Sequence, residues 1–471
     1  MILARIVEMN DLYIEYFILF LLLGLFVVFL MFITPKFFVF LFLGIFLFVQ
    51  QLLVFWGIPY VEYIDEIFVL LLLIIIVARR LLSTKPSIPR TPIDIYFLGF
   101  VILGVISSIT NQVPLEVAAR GLYSTIKGIL IFFIVFYLAF SIDELRRFIK
   151  YLIGVGVVVS LVSIGEIIFG LDTFRKYGLT IYTYHKWGMP SFFNHPAHAA
   201  YFLGFVMSFL IARIVINMGS KHKNTILLLF LMIGFVLSNS RAAWLALGVS
   251  LFLTLPNIKY ISPIKLSINI RYAKITAQLL LLLIVFLLIF YFGFPEVEQQ
   301  INLKIQLFSR AVDYYILQIY PSYQGVDLRM IALFEGLKVL MDHLFLGVGP
   351  GRYGGWVAYE FPSPVYTNYN IPYLGTTLLR QSDNFWIHLL VESGIIAMGI
   401  FLLLLRTIYK GYKRATEISL SKDLNWIGLG AKISFIFIIV GGLFSPILEG
   451  PPIPFLFWGL AGAVLSQLRS Y

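Results

Sequence analysis

Residues 62–82 read EYIDEIFVLLLLIIIVARRLL. No polar side chain occurs between Ile67 and Ala78, acids crowd one end and an arginine pair closes the other. A helix needs roughly 20 apolar residues to cross the hydrocarbon core, so this stretch predicts a membrane span over 67–82. Similar runs recur at 12–33, 37–55, 93–110, 122–140, 149–169, 196–216, 224–239, 241–256, 275–293, 385–405, 427–447 and 453–468. The expected fold is an all-α polytopic membrane protein with 12–13 transmembrane helices. The pair on either side of Asn239 reads as two short helices or one broken one.

Composition agrees. Of the 471 residues 60% are hydrophobic and 13% charged, and the mean hydropathy is +0.93. Soluble domains sit near 45–50% apolar and about 25% charged. A soluble enzyme, a disordered regulator and a nucleic-acid-binding module are therefore excluded. Without cysteine the chain has no disulfide framework, thiolate metal site or cysteine nucleophile. The run from Leu12 to Ile33 is too long for the core of a signal peptide, so none is expected.

Net charge is +11, and its placement gives orientation. One set of alternate loops carries Arg79, Arg80, Lys85 and Arg90, then Arg146, Arg147 and Lys150, then Arg213, Lys221 and Lys223. The same set continues with Lys259, Lys265, Arg271 and Lys274, then Arg406, Lys410, Lys413, Arg414 and Lys422, joined by Lys36 and Arg469. More than half of the 35 basic residues thus share one side, which the positive-inside rule makes cytoplasmic. Anionic lipid headgroups would be drawn to it.

Residues 294–383 form the one extended stretch without a span, rich in Tyr, Pro and Gly. Three regions are expected: a bundle over 1–293, a large external loop over 294–383, and closing spans over 384–471. Within the loop, Asp327 is a plausible N-cap. Ile331, Phe334, Leu337 and Met341 follow at helical spacing, and Gly347 to Gly351 ends the helix.

Two motifs mislead. Gly349 to Gly354 matches G-x-G-x-x-G, but a dinucleotide site needs a preceding strand and a following helix. His195 and His198 share one turn, yet no third ligand accompanies them, so an outer cap or substrate rim is the reading and no metal is expected. No phosphate-binding P-loop occurs, which excludes an ATP-driven pump.

Ionisable residues at membrane depth usually mark function. The outward half of the chain offers Arg120 with Lys127 seven residues on, Arg241, Arg329, Arg352, Arg380, Asp383, Glu392 and Glu449. Several guanidinium groups suit a polyanion such as pyrophosphate, and could stabilise it as a leaving group. A carboxylate or histidine could deprotonate an acceptor hydroxyl. Snorkelling or structural ion pairing is the alternative for each charge.

Three stretches resemble the O-antigen ligase and O-antigen polymerase family of bacterial polysaccharide assembly. They are Ser238-Asn239-Ser240-Arg241-Ala242-Ala243-Trp244, Arg329 through Leu344 to Gly351, and Ser382-Asp383-Asn384 through Glu392-Ser393-Gly394. Asn194-His195-Pro196 also fits, and the resemblance spans about residues 190–410.

It implies a glycosyltransferase of the bacterial inner membrane, with its site facing the periplasm and no metal or other cofactor. The donor would be a polyprenyl-pyrophosphate-linked oligosaccharide. The acceptor would be a glycan or lipid-linked glycan. A chain-length regulator protein is a possible partner, and nucleic acid is not. Arg241 and Arg329 would contact the pyrophosphate, with Asp383 activating the acceptor. Arg120, Lys127, His195, His198, Arg352, Arg380, Asn384 and Glu392 would line the substrate site.

The ligases resemble this stretch but carry His-Asn where this chain has Asp383-Asn384. That change favours a polymerase over a ligase to lipid A-core or protein. Asp383 could instead orient Arg380 or Arg329. A flippase or transporter is the competing class. Transporters often show two related halves, and no internal repeat is visible here.

Overall fold

The computed structural model describes residues 24–46, 64–83, 89–176, 188–193, 195–258, 328–371, 384–417 and 421–470. Every regular element among them is helical. Helices α1 (Gly24–Ile33) and α2 (Pro35–Ile45) meet at 110°. Pro35 lacks the N–H that would continue α1, so the chain bends there. Next come α3 (Ile64–Leu81), α4 (Asp94–Thr110), α5 (Leu115–Leu138), α6 (Ile142–Phe169) and the short α7 (Leu171–Lys176). They are followed by α8 (Pro196–Val215), α9 (Lys221–Leu237) and α10 (Arg241–Thr254). The loop region supplies α11 (Leu328–Asp342), α12 (Trp356–Glu360) and α13 (Pro364–Asn368). The chain closes with α14 (Phe385–Glu417), α15 (Lys422–Gly441) and α16 (Ile453–Gln467).

Among the described residues α5, α6, α8, α14 and α15 are long and apolar enough to cross a membrane, and the bent α1–α2 pair could make a sixth. The chain is an all-α multi-pass membrane protein. Helices α4, α10 and α16 are apolar but shorter, at 10–17 residues. The expected span over 275–293 lies outside the described residues. Asn239, at φ 51°, ends α9, and the Ser240 hydroxyl caps α10. The two runs around Asn239 are therefore separate helices.

Small residues let the helices approach closely, as lipid-embedded bundles require. A side-chain carbon on Gly204 would lie 2.4 Å from the Phe437 ring, and one on Gly430 would lie 2.4 Å from Phe209. These contacts seat α8 on α15. Gly128 does the same for α5 against Trp458 of α16, at 2.4 Å.

The two ends of the bundle differ in charge. Lys36 pairs with Glu144 at 2.9 Å and Arg146 with Asp423 at 3.2 Å. Arg80 donates to the Tyr137 carbonyl, Arg213 lies over Trp426 and Arg469 over Phe136. This gathers the basic residues of several loops at one end.

One expected span is built differently. Residues 385–405 read as a continuous helix, but Gly394 sits at φ 71°, ψ 176°, inside α14. The rings of Phe385 and Trp386 both lie 6.4 Å from Phe401. In a straight helix 16 residues would separate them by roughly 24 Å. The chain therefore folds back at Gly394. A short arm, 385–393, returns alongside the span that begins at Ile395, and 395–417 alone covers roughly 34 Å. The Phe385 amide donates to the Gly442 carbonyl at 2.9 Å. Phe401 also meets Phe100 of α4 and Trp458 of α16. Asn384 thus starts the arm against the bundle, and Glu392 lies at the bend.

Candidate functional site

The arm is the centre of the site. Asn384 caps it, its side-chain oxygen accepting from the amides of Trp386 at 3.0 Å and Ile387 at 3.1 Å. One turn on, His388 is buried, with only 3% of its surface exposed. Its Nε2 lies 3.1 Å from Glu392 Oε2 and its Nδ1 lies 2.5 Å from Glu449 Oε1. Glu392 is equally buried, and its other oxygen accepts from the Tyr353 amide at 2.8 Å.

The proton count is constrained. A neutral imidazole has one N–H, and an ionised carboxylate only accepts. The ring donates to both carboxylates when it is an imidazolium.

The fold-back also leaves helix carbonyls without their usual donors. The glycine-rich turn supplies them. Val348 N–H donates to the Val391 carbonyl and Gly349 N–H to the Glu392 carbonyl, both at 3.0 Å. In return Ile395 N–H donates to the Leu344 carbonyl at 2.9 Å. The approach demands glycine. A side-chain carbon at Gly394 would fall 2.4 Å from the Phe345 carbonyl oxygen, and one at Gly347 would fall 2.4 Å from that of Glu392. The turn is tied to the end of α4 as well. Ser107 donates to the Leu346 carbonyl at 2.6 Å, and Asn111 to that of Gly347 at 3.0 Å. The G-x-G-x-x-G pattern is thus a backbone staple on the bend.

Tyr353 closes this corner. Its hydroxyl donates to the Ala332 carbonyl at 2.6 Å, and its ring stacks on Tyr366 at 5.8 Å. Burial, with smaller contributions from Tyr366 and Glu335, pushes the hydroxyl well above its ordinary range. It therefore stays a donor.

The remaining predicted site residues scatter. His195 is the N-cap of α8, its Nδ1 accepting from Ala197 N–H at 3.1 Å. His198 lies one turn on, with ring centroids 6.2 Å apart. A side-chain carbon on Gly450 would sit 3.6 Å from His198, so this helix start adjoins the turn that carries Glu449. Arg120 pairs with Glu116 at 3.1 Å and Glu360 at 2.9 Å. Lys127 pairs with Asp65 at 3.5 Å and Glu66 at 3.9 Å. Arg352 donates to the Gln112 carbonyl at 3.0 Å. Arg241 opens α10 with an exposed side chain and makes no ion pair among the described residues. Arg329 lies in the first turn of α11, while Asp383 and Arg380 lie outside the described residues.

The structure brings Asn384 and Glu392 together on the arm. It pairs Arg120 with Glu116 and Glu360 and Lys127 with Asp65 and Glu66, and Glu66 lies within electrostatic reach of both cations. His388 and Glu449 are the residues that sequence reasoning left without a partner. His388 and Glu392 are four residues apart, a spacing that joins side chains on a helix. No local signal links Glu449 to either. Among the described residues no cluster of three or more His, Asp or Glu could hold a metal ion, and His388 itself fills the space between the two carboxylates.

Residues 226–402 match the family model described as O-antigen ligase. Over this segment the chain is similar to the O-antigen ligase family. The match runs from within α9, through Arg241, α11 and the glycine-rich turn, to the arm and the first turns of the α14 span. It covers less than half of the chain and leaves out Glu449, His195, His198, Arg120 and Lys127. No curated protein matches the chain. The similarity supports a membrane enzyme of polysaccharide assembly of the O-antigen ligase type.

Proposed function

We propose that this enzyme polymerises polyprenyl-pyrophosphate-linked glycan repeats at the outer face of the bacterial cytoplasmic membrane. In this reading 1–293 and 384–471 form the bundle, and 294–383 forms the loop that closes the site. The observation that carries it is Arg241. Arg120 and Lys127 are committed to carboxylates. Arg241 is exposed on the first turn of a helix, where the backbone N–H groups add to its positive field. Such a cation is available to a pyrophosphate, and Arg329 at the start of α11 is its proposed companion.

The step is a displacement. An acceptor hydroxyl attacks the anomeric carbon of the donor sugar as the bond to pyrophosphate breaks, and polyprenyl pyrophosphate leaves. Asp383, next in sequence to Asn384, takes the hydroxyl proton. No metal or cofactor is needed in this scheme. His195, His198, Arg352 and Arg380 are proposed to line the glycan, with Arg120 and Lys127 holding carboxylates along α5.

The family description favours a second reading, transfer of finished glycan to lipid A-core or protein. One reconstitution separates the two. Purified protein in liposomes receives a polyprenyl-pyrophosphate-linked repeat without metal or nucleotide. A product ladder spaced by one repeat supports the polymerase. Transfer that appears only with lipid A-core supports the ligase. Movement of substrate between leaflets without product sinks the catalytic reading. Within the polymerase, Asp383→Asn abolishes the ladder, and full activity in that variant removes Asp383 as the base.

A further inference from the structure

The apolar stripe of α11 faces outward. Phe334 is 56% exposed and Met341 73%, with Leu337 between them and Phe345 just beyond the helix also exposed. The face that packs carries Ala332, Gly336, Val339 and Leu340 instead. This stripe is four large apolar side chains wide, more than a water-facing helix ordinarily shows.

Its place in the fold says what covers it. Helix α11 runs beside the arm. A side-chain carbon on Gly336 would lie 2.8 Å from Ile387, and the Leu344 carbonyl accepts from Ile395 N–H. The arm in turn folds back to Phe401, well inside the α14 span. Helix α11 therefore descends alongside a membrane-embedded segment. The neighbouring surfaces of the spans are apolar and exposed too: Ile395 and Ile396 on α14, and Ile106 and Ile109 on α4. The Ser107 hydroxyl, on that same turn of α4, bonds the Leu346 carbonyl just beyond Phe345. Lys338 and Asp342, both exposed, mark one edge of the stripe, the arrangement of a helix lying at a lipid–water boundary.

We infer that α11 is embedded in the leaflet at the site end of the bundle, with Phe334, Leu337, Met341 and Phe345 against lipid acyl chains. The inference stands independently of the transferase reading. It makes one wall of the site a helix in contact with lipid, so that a lipid-linked molecule meets this wall from the bilayer.

The chain has no cysteine, so Leu337→Cys, Met341→Cys and the span reference Ile102→Cys can each carry a single fluorophore. The variants are placed in phosphatidylcholine/phosphatidylglycerol nanodiscs. Quenching by acyl-chain nitroxide lipid is compared with quenching by iodide in water. Positions 337 and 341 are expected to match position 102 within about twofold and to resist iodide, as for an interfacial helix face. Quenching by iodide instead, or protection from both quenchers because another part of the chain covers the stripe, overturns the inference. An apolar photoactivated carbene probe in the bilayer tests the unsubstituted protein. Labelling of Met341 and Phe345 supports the inference, and its absence there while Ile109 is labelled overturns it.

Discussion

Replacing His388 by alanine tests the array at the bend. The ring lies between Glu449 at 2.5 Å and Glu392 at 3.1 Å, and all three side chains are at least nine-tenths buried. Glu392 keeps the Tyr353 amide, but Glu449 loses the ring it faces. Removing one partner of a buried ionic contact costs about 3–5 kcal/mol, because a charge is left uncompensated. Against a total stability of about 5–15 kcal/mol for a typical domain, that is a third or more. Unfolding would be followed by intrinsic tryptophan fluorescence during SDS titration from mixed micelles, with thermal midpoints in nanodiscs as a second readout. Adding Glu449→Gln to His388→Ala removes the orphaned charge, so the double variant should recover part of the loss. The expected coupling is about 1–3 kcal/mol, the range seen for residues in contact. A cost for His388→Ala no larger than a surface change, about 0.5 kcal/mol, refutes the reasoning, as does strict additivity of the two substitutions.

Three further outcomes are expected. Gly121→Ala would place a carbon 2.2 Å from the Gly351 nitrogen, whereas Gly248 has open space; the first should lower stability by about 1–3 kcal/mol and the second should leave the thermal midpoint unmoved. Gly394→Ala combines a positive φ with a backbone clash; at least about 1–2 kcal/mol of strain follows, read as a lower thermal midpoint. Arg241→Ala should abolish transfer in the reconstituted assay without moving the thermal midpoint, since the side chain is exposed and makes no ion pair among the described residues. Arg120→Ala, which breaks exposed pairs worth about 0–1 kcal/mol, should leave both readouts near those of the parent.

Hydropathy alone was enough for the fold class. A backbone in hydrocarbon must satisfy its own hydrogen bonds, so long apolar runs have to be helices, and those at 122–140, 149–169 and 196–216 are. The family was legible from Ser238 to Trp244, from Arg329 to Gly351 and from Ser382 to Gly394, because those motifs are local. The positive-inside pattern likewise separated the basic loops that the structure gathers at one end.

The fold-back at Gly394 was not legible. A glycine inside an apolar run reads as a tolerated helix residue, and only the donors brought by Val348 and Gly349 from the loop make the break affordable in hydrogen bonds. The outward turn of the α11 stripe was hidden for a related reason: periodicity gives the face, but which face packs depends on the partner, and here Ile387 and Tyr353 press against the glycine side. The array shows the limit most clearly. His388 and Glu392 share a helix, so their pairing follows from spacing, while Glu449 reaches His388 from 61 positions along the chain. The sequence by itself determined a helical membrane protein and pointed to residue types that could do its chemistry. Which of those residues meet was decided by tertiary structure, because contact across distant segments depends on how helices stop, bend and dock.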